Sequence, residues 1–129
     1  MPFHHQITTR YGEVDQQGVV YNAHYLVYMD DTMETWMRQL PDLRETFGWD
    51  MMLKKATIEW QGSVTDGERL EIEAAVVHWG RSSWRLGYVG TCDGRSVFTA
   101  EVVYVSVRLG TNNPFETPEG VKEAFGGKS

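Results

Sequence analysis

An α+β fold, with one curved antiparallel sheet wrapped around a single long central helix, is predicted by three features of the 129-residue chain. The long run with apolar residues at three- and four-residue steps lies in the first third. After it come four segments in which apolar and polar residues alternate, two of them joined by Asp93-Gly94, the strongest short hairpin signal a sequence offers. The length suits one domain, residues 1–129, and leaves no room for two cores of ordinary size. A lone amphipathic helix must bury its stripe against something, and the sheet is the only element large enough.

In chain order, His4 to Tyr11 reads as a first strand or extended segment. From Asn22 to about Leu40, one face carries Tyr25, Met29, Met33, Trp36 and Leu40, while Asp30, Asp31, Glu34 and Arg38 take other positions. Asn22 is a good N-cap type and Pro41 stops the helix, whose roughly 18 residues span about 27 Å. The connection "PDLRETFGWD" leaves room for a helical turn. "KKATIEWQ" alternates Ile58 and Trp60 with Thr57 and Glu59. "ERLEIEAAVVHW" alternates Leu70, Ile72, Ala74 and Val76 with Arg69, Glu71 and Glu73, after a tight turn at Thr65 to Glu68. "SSWRLGYVGTC" and "RSVFTAEVVYVSVRL" flank the Asp93-Gly94 turn. "TPEGVKEAF" supplies a short closing helix after Pro118, with fraying expected at Gly126-Gly127. Edge strands need cover, so a homodimer, or a dimer of dimers, is expected from pairing of sheets.

Charge and motif content exclude several functions. Twelve basic against eighteen acidic residues give a net charge of -6, which argues against nucleic acid and anionic membrane as partners. Cys92 is the single cysteine, so no intrachain disulfide forms and a reducing compartment is expected; it precedes a turn with nothing beside it to activate the thiol. The N-terminus has neither a basic start nor an apolar run, and no segment has transmembrane length, so a cytoplasmic location is expected. The terminal "GGKS" imitates a phosphate-binding loop, but its first glycine would fall on Lys122. No G-x-S-x-G occurs. His4 and His5 point to opposite faces of a strand, and His24 and His78 stand alone, so no metal site is expected.

Asp15 is set apart by the residues on its C-terminal side. Gln16, Gln17 and Gly18 allow the chain to fold back and lay Asp15 near the helix start at Asn22 to His24. Unpaired N–H groups at a helix N-terminus are what a developing oxyanion requires. A carboxylate facing them acts as general base or nucleophile on a carbonyl held between. The competing role is stabilisation of a turn with Gly18, and spacing alone favours that role.

The run from Tyr11 to Tyr25, "YGEVDQQGVVYNAHY", resembles the signature of hotdog-fold acyl-CoA thioesterases of the 4-hydroxybenzoyl-CoA thioesterase family: aromatic-x-x-x-Asp-x-x-Gly-Val-Val-aromatic-x-x-x-Tyr ahead of the central helix. "HWGRSSWRLGYV" and "VSVRLGTNNPFETPEGVKEAF" are similar to later parts of the same family, so the resemblance covers the whole chain. It implies that Asp15 attacks the thioester or activates water, and that the backbone N–H of Asn22, with that of Ala23 beside it, polarises the carbonyl. It implies further that Tyr11, Gly18, Val19 and Tyr25 line the site, and that Arg81, Ser82 and Ser83 lie near the pantetheine arm across a dimer interface. The substrate would be an acyl-CoA, with no cofactor beyond that coenzyme A. Many relatives carry His or Tyr where this chain has Asn22, so an acid–base role for that side chain is absent here. Two alternatives stand beside hydrolysis: a non-catalytic acyl-CoA or small-ligand binding module, and a dehydratase or hydratase on the same fold. Glu13 would share a face with Asp15 if the segment is extended, and otherwise points to solvent or pairs with Arg10. Arg81, Arg85 and Arg108 are candidates for the phosphates, Arg81 foremost.

Overall fold

Alternating apolar residues do build one sheet. The computed structural model describes residues 2–126. Strands β1 (Phe3–Thr8), β2 (Trp49–Trp60), β3 (Arg69–Trp79), β4 (Ser83–Cys92) and β5 (Arg95–Arg108) pair antiparallel in the order β1-β3-β4-β5-β2. Cys92 pairs with Arg95 across a two-residue turn in which Asp93 and Gly94 both take positive φ, 50° and 78°, the backbone that the Asp-Gly dipeptide tolerates best. The curved sheet holds helix α1 (His24–Arg38), whose Tyr25, Tyr28, Met29, Thr32, Met33 and Trp36 are buried. All but Thr32, whose hydroxyl donates to Tyr28 O, join Leu70, Ile72, Ala74, Leu86, Tyr88, Val102 and Tyr104 in one core. Met29 and Met33 are therefore core residues. Helices α2 (Leu43–Phe47) and α3 (Glu119–Ala124) close the far end. Among the described residues, no helix is long and apolar enough to cross a membrane. Gly127, where the sequence predicts fraying, lies outside the described residues, as do Lys128 and Ser129.

Four boundaries differ from the sequence expectation, each for a hydrogen-bonding reason. The first strand stops at Thr8 rather than running to Tyr11, because Thr9 is bound through its N–H and hydroxyl to the Thr65–Glu68 turn. Helix α1 starts at His24 with Ala23 as its cap residue, not at Asn22. The amides of His24, Tyr25 and Leu26 bond three residues back, to Tyr21, Asn22 and Ala23, a tightened first turn that needs no side-chain cap. The helix ends at Arg38, since Gln39 and Leu40 also close three-residue turns. Strand β2 begins at Trp49, well before Lys54, because β5 runs on to Arg108 and offers it partners.

The far end of the sheet is tied by a buried polar chain. Trp49 Nε1–H donates to Ser106 Oγ at 2.9 Å, and Ser106 Oγ lies 2.6 Å from Thr117 Oγ1. This joins the start of β2, the end of β5 and the segment ahead of α3. Ser106→Ala strands the indole N–H and a hydroxyl together, and an unsatisfied buried group costs about 1–3 kcal/mol. Urea unfolding should show a loss of that size; an unchanged midpoint would mean the chain contributes nothing.

Candidate active site

The segment between β1 and α1 is shaped by short-range bonds. Glu13 closes a 3-10 turn, Tyr11–Glu13, by accepting the Arg10 N–H at 2.9 Å and pairing with its guanidinium at 3.2 Å. Val14 then bridges Val20 antiparallel, the Asp15 N–H donates to Val19 O at 2.9 Å, and the Gly18 N–H donates to Asp15 O at 3.0 Å. Gly18 sits at φ 80° with open space where a Cβ would go, so backbone conformation, not crowding, calls for glycine there. The Val20 N–H docks on Val64 O at 2.8 Å and the Tyr21 N–H on Glu13 O at 3.0 Å, delivering the chain to the helix start.

Asp15 is half-buried at the tip of this hairpin. Its Oδ1 accepts the Gln17 N–H at 2.8 Å, the one hydrogen bond its side chain makes among the described residues. The turn role is therefore real, and it occupies one carboxylate oxygen. The other accepts no hydrogen bond among the described residues. An open depression of about 580 Å³ is lined by Tyr11, Gly12, Val14, Asp15, Gln16 and Gly18. Across the hairpin, Val19 is the partner of Asp15, and Asn22 lies three residues on, about 10 Å at strand rise. Among the described residues the N–H groups of Asn22 and Ala23 meet no backbone carbonyl. They are exposed donors at the head of a 15-residue helix with no acidic side chain in its first turn, where the helix dipole adds partial positive charge.

The other predicted residues are spread over the molecule. Tyr11 stands 80% exposed on the rim. Val19 is half-buried behind Asp15. Tyr25 is buried and packs edge-on against Tyr28, Trp60 and Phe98. Arg81, Ser82 and Ser83 form the β3–β4 turn, where their carbonyls accept from Thr117, Ser106 and Gly80. That turn is at the far end of β3 from the Asp15 hairpin. Eleven residues of strand, about 35 Å, separate the two, so one chain does not bring them together. Arg85 pairs with Glu101 at 3.6 Å, and the Arg108 guanidinium lies 4.7 Å above the Phe115 ring. Burial pushes the Cys92 thiol up, in keeping with an unreactive cysteine.

Sequence reasoning missed Tyr28. At helical spacing it reads as core, and its ring is core, but its hydroxyl donates to Glu13 Oε1 at 2.8 Å. Burial raises the Glu13 carboxyl, yet the Tyr28 hydroxyl and the Arg10 amide and guanidinium outweigh it, so the group sits below its ordinary value of 4.5. A carboxylate whose folded pKa is depressed adds stability above the ordinary value, and that stability is lost as pH falls through the folded one. Tyr28→Phe removes part of this gain. Its stability deficit at pH 7 should therefore shrink below about pH 4.5; thermal unfolding across pH 3 to 7 checks this, and a constant deficit would contradict it.

Comparison with known proteins agrees with this architecture. Residues 9–125 match the family described as the thioesterase-like superfamily. A 1,4-dihydroxy-2-naphthoyl-CoA hydrolase of Synechococcus elongatus is 27% identical over 123 residues, spanning 92% of this chain and 90% of its own. The crystal structure of a 1,4-dihydroxy-2-naphthoyl-CoA thioesterase from Synechocystis superposes with a TM-score of 0.83 at 17% identity, over 97% of this chain and 96% of that one. A Staphylococcus aureus protein solved in complex with CoA superposes with a TM-score of 0.85 at 15% identity, over 98% of this chain and 82% of that one. The sheet wrapped around α1 is the hotdog fold, and the protein belongs to the thioesterase-like superfamily.

Proposed function

We propose that this protein, a thioester hydrolase, cleaves acyl-CoA thioesters to the free acid and coenzyme A, with Asp15 as the reacting carboxylate. The observation that carries this reading is a half-buried carboxylate with one unbonded oxygen, held in a hairpin that leads directly to two helix-start amides without a backbone carbonyl partner among the described residues. The thioester carbonyl oxygen sits on the N–H groups of Asn22 and Ala23, where negative charge develops. Asp15 takes a proton from water attacking the carbonyl carbon, or attacks that carbon itself to give an anhydride that water opens. The C–S bond breaks and the thiolate of coenzyme A leaves. The route asks for no metal or redox cofactor. An aryl-CoA ester is a natural first substrate, since the two named relatives act on 1,4-dihydroxy-2-naphthoyl-CoA. The separation of Arg81, Ser82 and Ser83 from Asp15 within one chain supports a homodimer or dimer of dimers, in which a second copy brings its turn to the coenzyme.

A hydrolysis screen over aryl and straight-chain acyl-CoA esters, followed through the released thiol, tests the proposal. Turnover of at least one ester is expected. Binding of those esters without thiol release would select the non-catalytic binding module instead.

A further inference from the structure

Glu13 ties the Asp15 hairpin to helix α1, while the Val20 N–H anchors its other arm to Val64 O. Glu13 Oε1 accepts from the Tyr28 hydroxyl at 2.8 Å and the Arg10 N–H at 2.9 Å, its Oε2 from the Arg10 guanidinium at 3.2 Å, and its carbonyl from the Tyr21 N–H at 3.0 Å. The carboxylate side chain is 11% exposed and Tyr28 only 2%. Burying a carboxylate this far costs free energy unless it is fully bonded, so an apolar residue would serve better if packing were its whole role. Its place in the chain supplies another. Asp15 lies two residues after Glu13, and Asn22 lies one residue after Tyr21. The side chain of Glu13 is thus fixed to helix α1, and its main chain to Tyr21 on the segment that leads into the helix, at the point between the carboxylate and the amides.

We infer that Tyr28 and Glu13 are positioning residues that hold Asp15 at its working distance from the Asn22 and Ala23 amides. The inference rests on the reading of Asp15 as the reacting carboxylate. Neither residue lines the depression beside Asp15, and both act through the spacing of the groups that do. Displacement of reacting groups by about 1 Å costs as much as 10²-fold in rate.

Tyr28→Phe keeps the ring and removes the hydroxyl. It is expected to lower kcat about tenfold with KM unchanged, in protein whose circular dichroism and melting temperature show it folded at the assay temperature. Glu13→Ala should lose at least as much. Glu13→Gln, which still accepts from the Tyr28 hydroxyl, should recover most of that loss. In an Asp15→Asn background, adding Tyr28→Phe should leave the residual rate where it is, because the hydroxyl acts through Asp15. If Asp15→Asn is inactive while folded Tyr28→Phe and Glu13→Ala turn over like wild type, positioning is refuted and the Asp15 reading stands. The same tenfold loss in the Asp15→Asn background would also refute it, marking a purely structural role. Full turnover by Asp15→Asn would instead bring down the underlying reading, and this inference with it.

Discussion

Asp15→Asn is expected to lower kcat for acyl-CoA hydrolysis by about 10³-fold, within the range that a general base contributes, with folding and KM close to wild type. The substitution is close to isosteric, and the amide oxygen still accepts the Gln17 N–H that Asp15 Oδ1 holds at 2.8 Å. Gly18 at φ 80° and the Val14–Val20 bridge do not depend on the charge. The hairpin therefore persists. What goes is the negative charge on the unbonded oxygen, the one property that either attack on the carbonyl or proton removal from water requires. The lost charge acts on the chemical step, so the loss should fall on kcat rather than KM. Steady-state kinetics on the best ester, with melting temperature as the control for folding, settles the matter. A folded variant with wild-type turnover would remove Asp15 from the mechanism.

Much of the architecture was legible in the sequence because its signals are local. Leu70, Ile72 and Ala74 alternate with charged neighbours and are buried as that alternation demands. Asp93-Gly94 demands positive φ and has it. The boundaries were less legible because they are decided by partners distant in sequence: β1 stops where Thr9 meets Glu68, and β2 starts where β5 can still reach it at Arg108. The site divides along the same line. The Asp15 turn, and the Asn22 and Ala23 amides that meet no backbone carbonyl among the described residues, are short-range features. The Tyr28–Glu13 bond spans 15 residues and joins a helix to a turn. No periodicity announces it, since Tyr28 shows only its apolar ring to a pattern search. Likewise the word-like match at Arg81-Ser82-Ser83 carries no information about distance, and only the strand order reveals that the turn stands at the opposite end of the sheet.

The second large effect concerns a backbone atom. Replacing Asn22 by proline deletes its N–H, and losing one oxyanion donor costs about 10²–10³ in kcat; with the Ala23 amide left in place, the lower end of that range is expected. The change should not disturb the fold. The His24 N–H bonds Tyr21 O at 2.9 Å, and Ala23 is helical at φ -66°, ψ -23°, which makes Asn22 the second residue of a tight turn, where proline is favoured. Its N–H serves no backbone carbonyl among the described residues, so no structural bond is lost with it. Asn22→Ala provides the contrast. It keeps the amide and removes a side chain that caps nothing, the helix cap being Ala23, so it should stay close to wild type. A large gap between the proline and alanine variants in kcat, at similar melting temperatures, would assign the oxyanion role to the main chain. Equal activity in both would show that the carbonyl is held by something other than this amide, while equal losses in both would point to the asparagine side chain, the one position where this chain departs from the pattern it otherwise resembles.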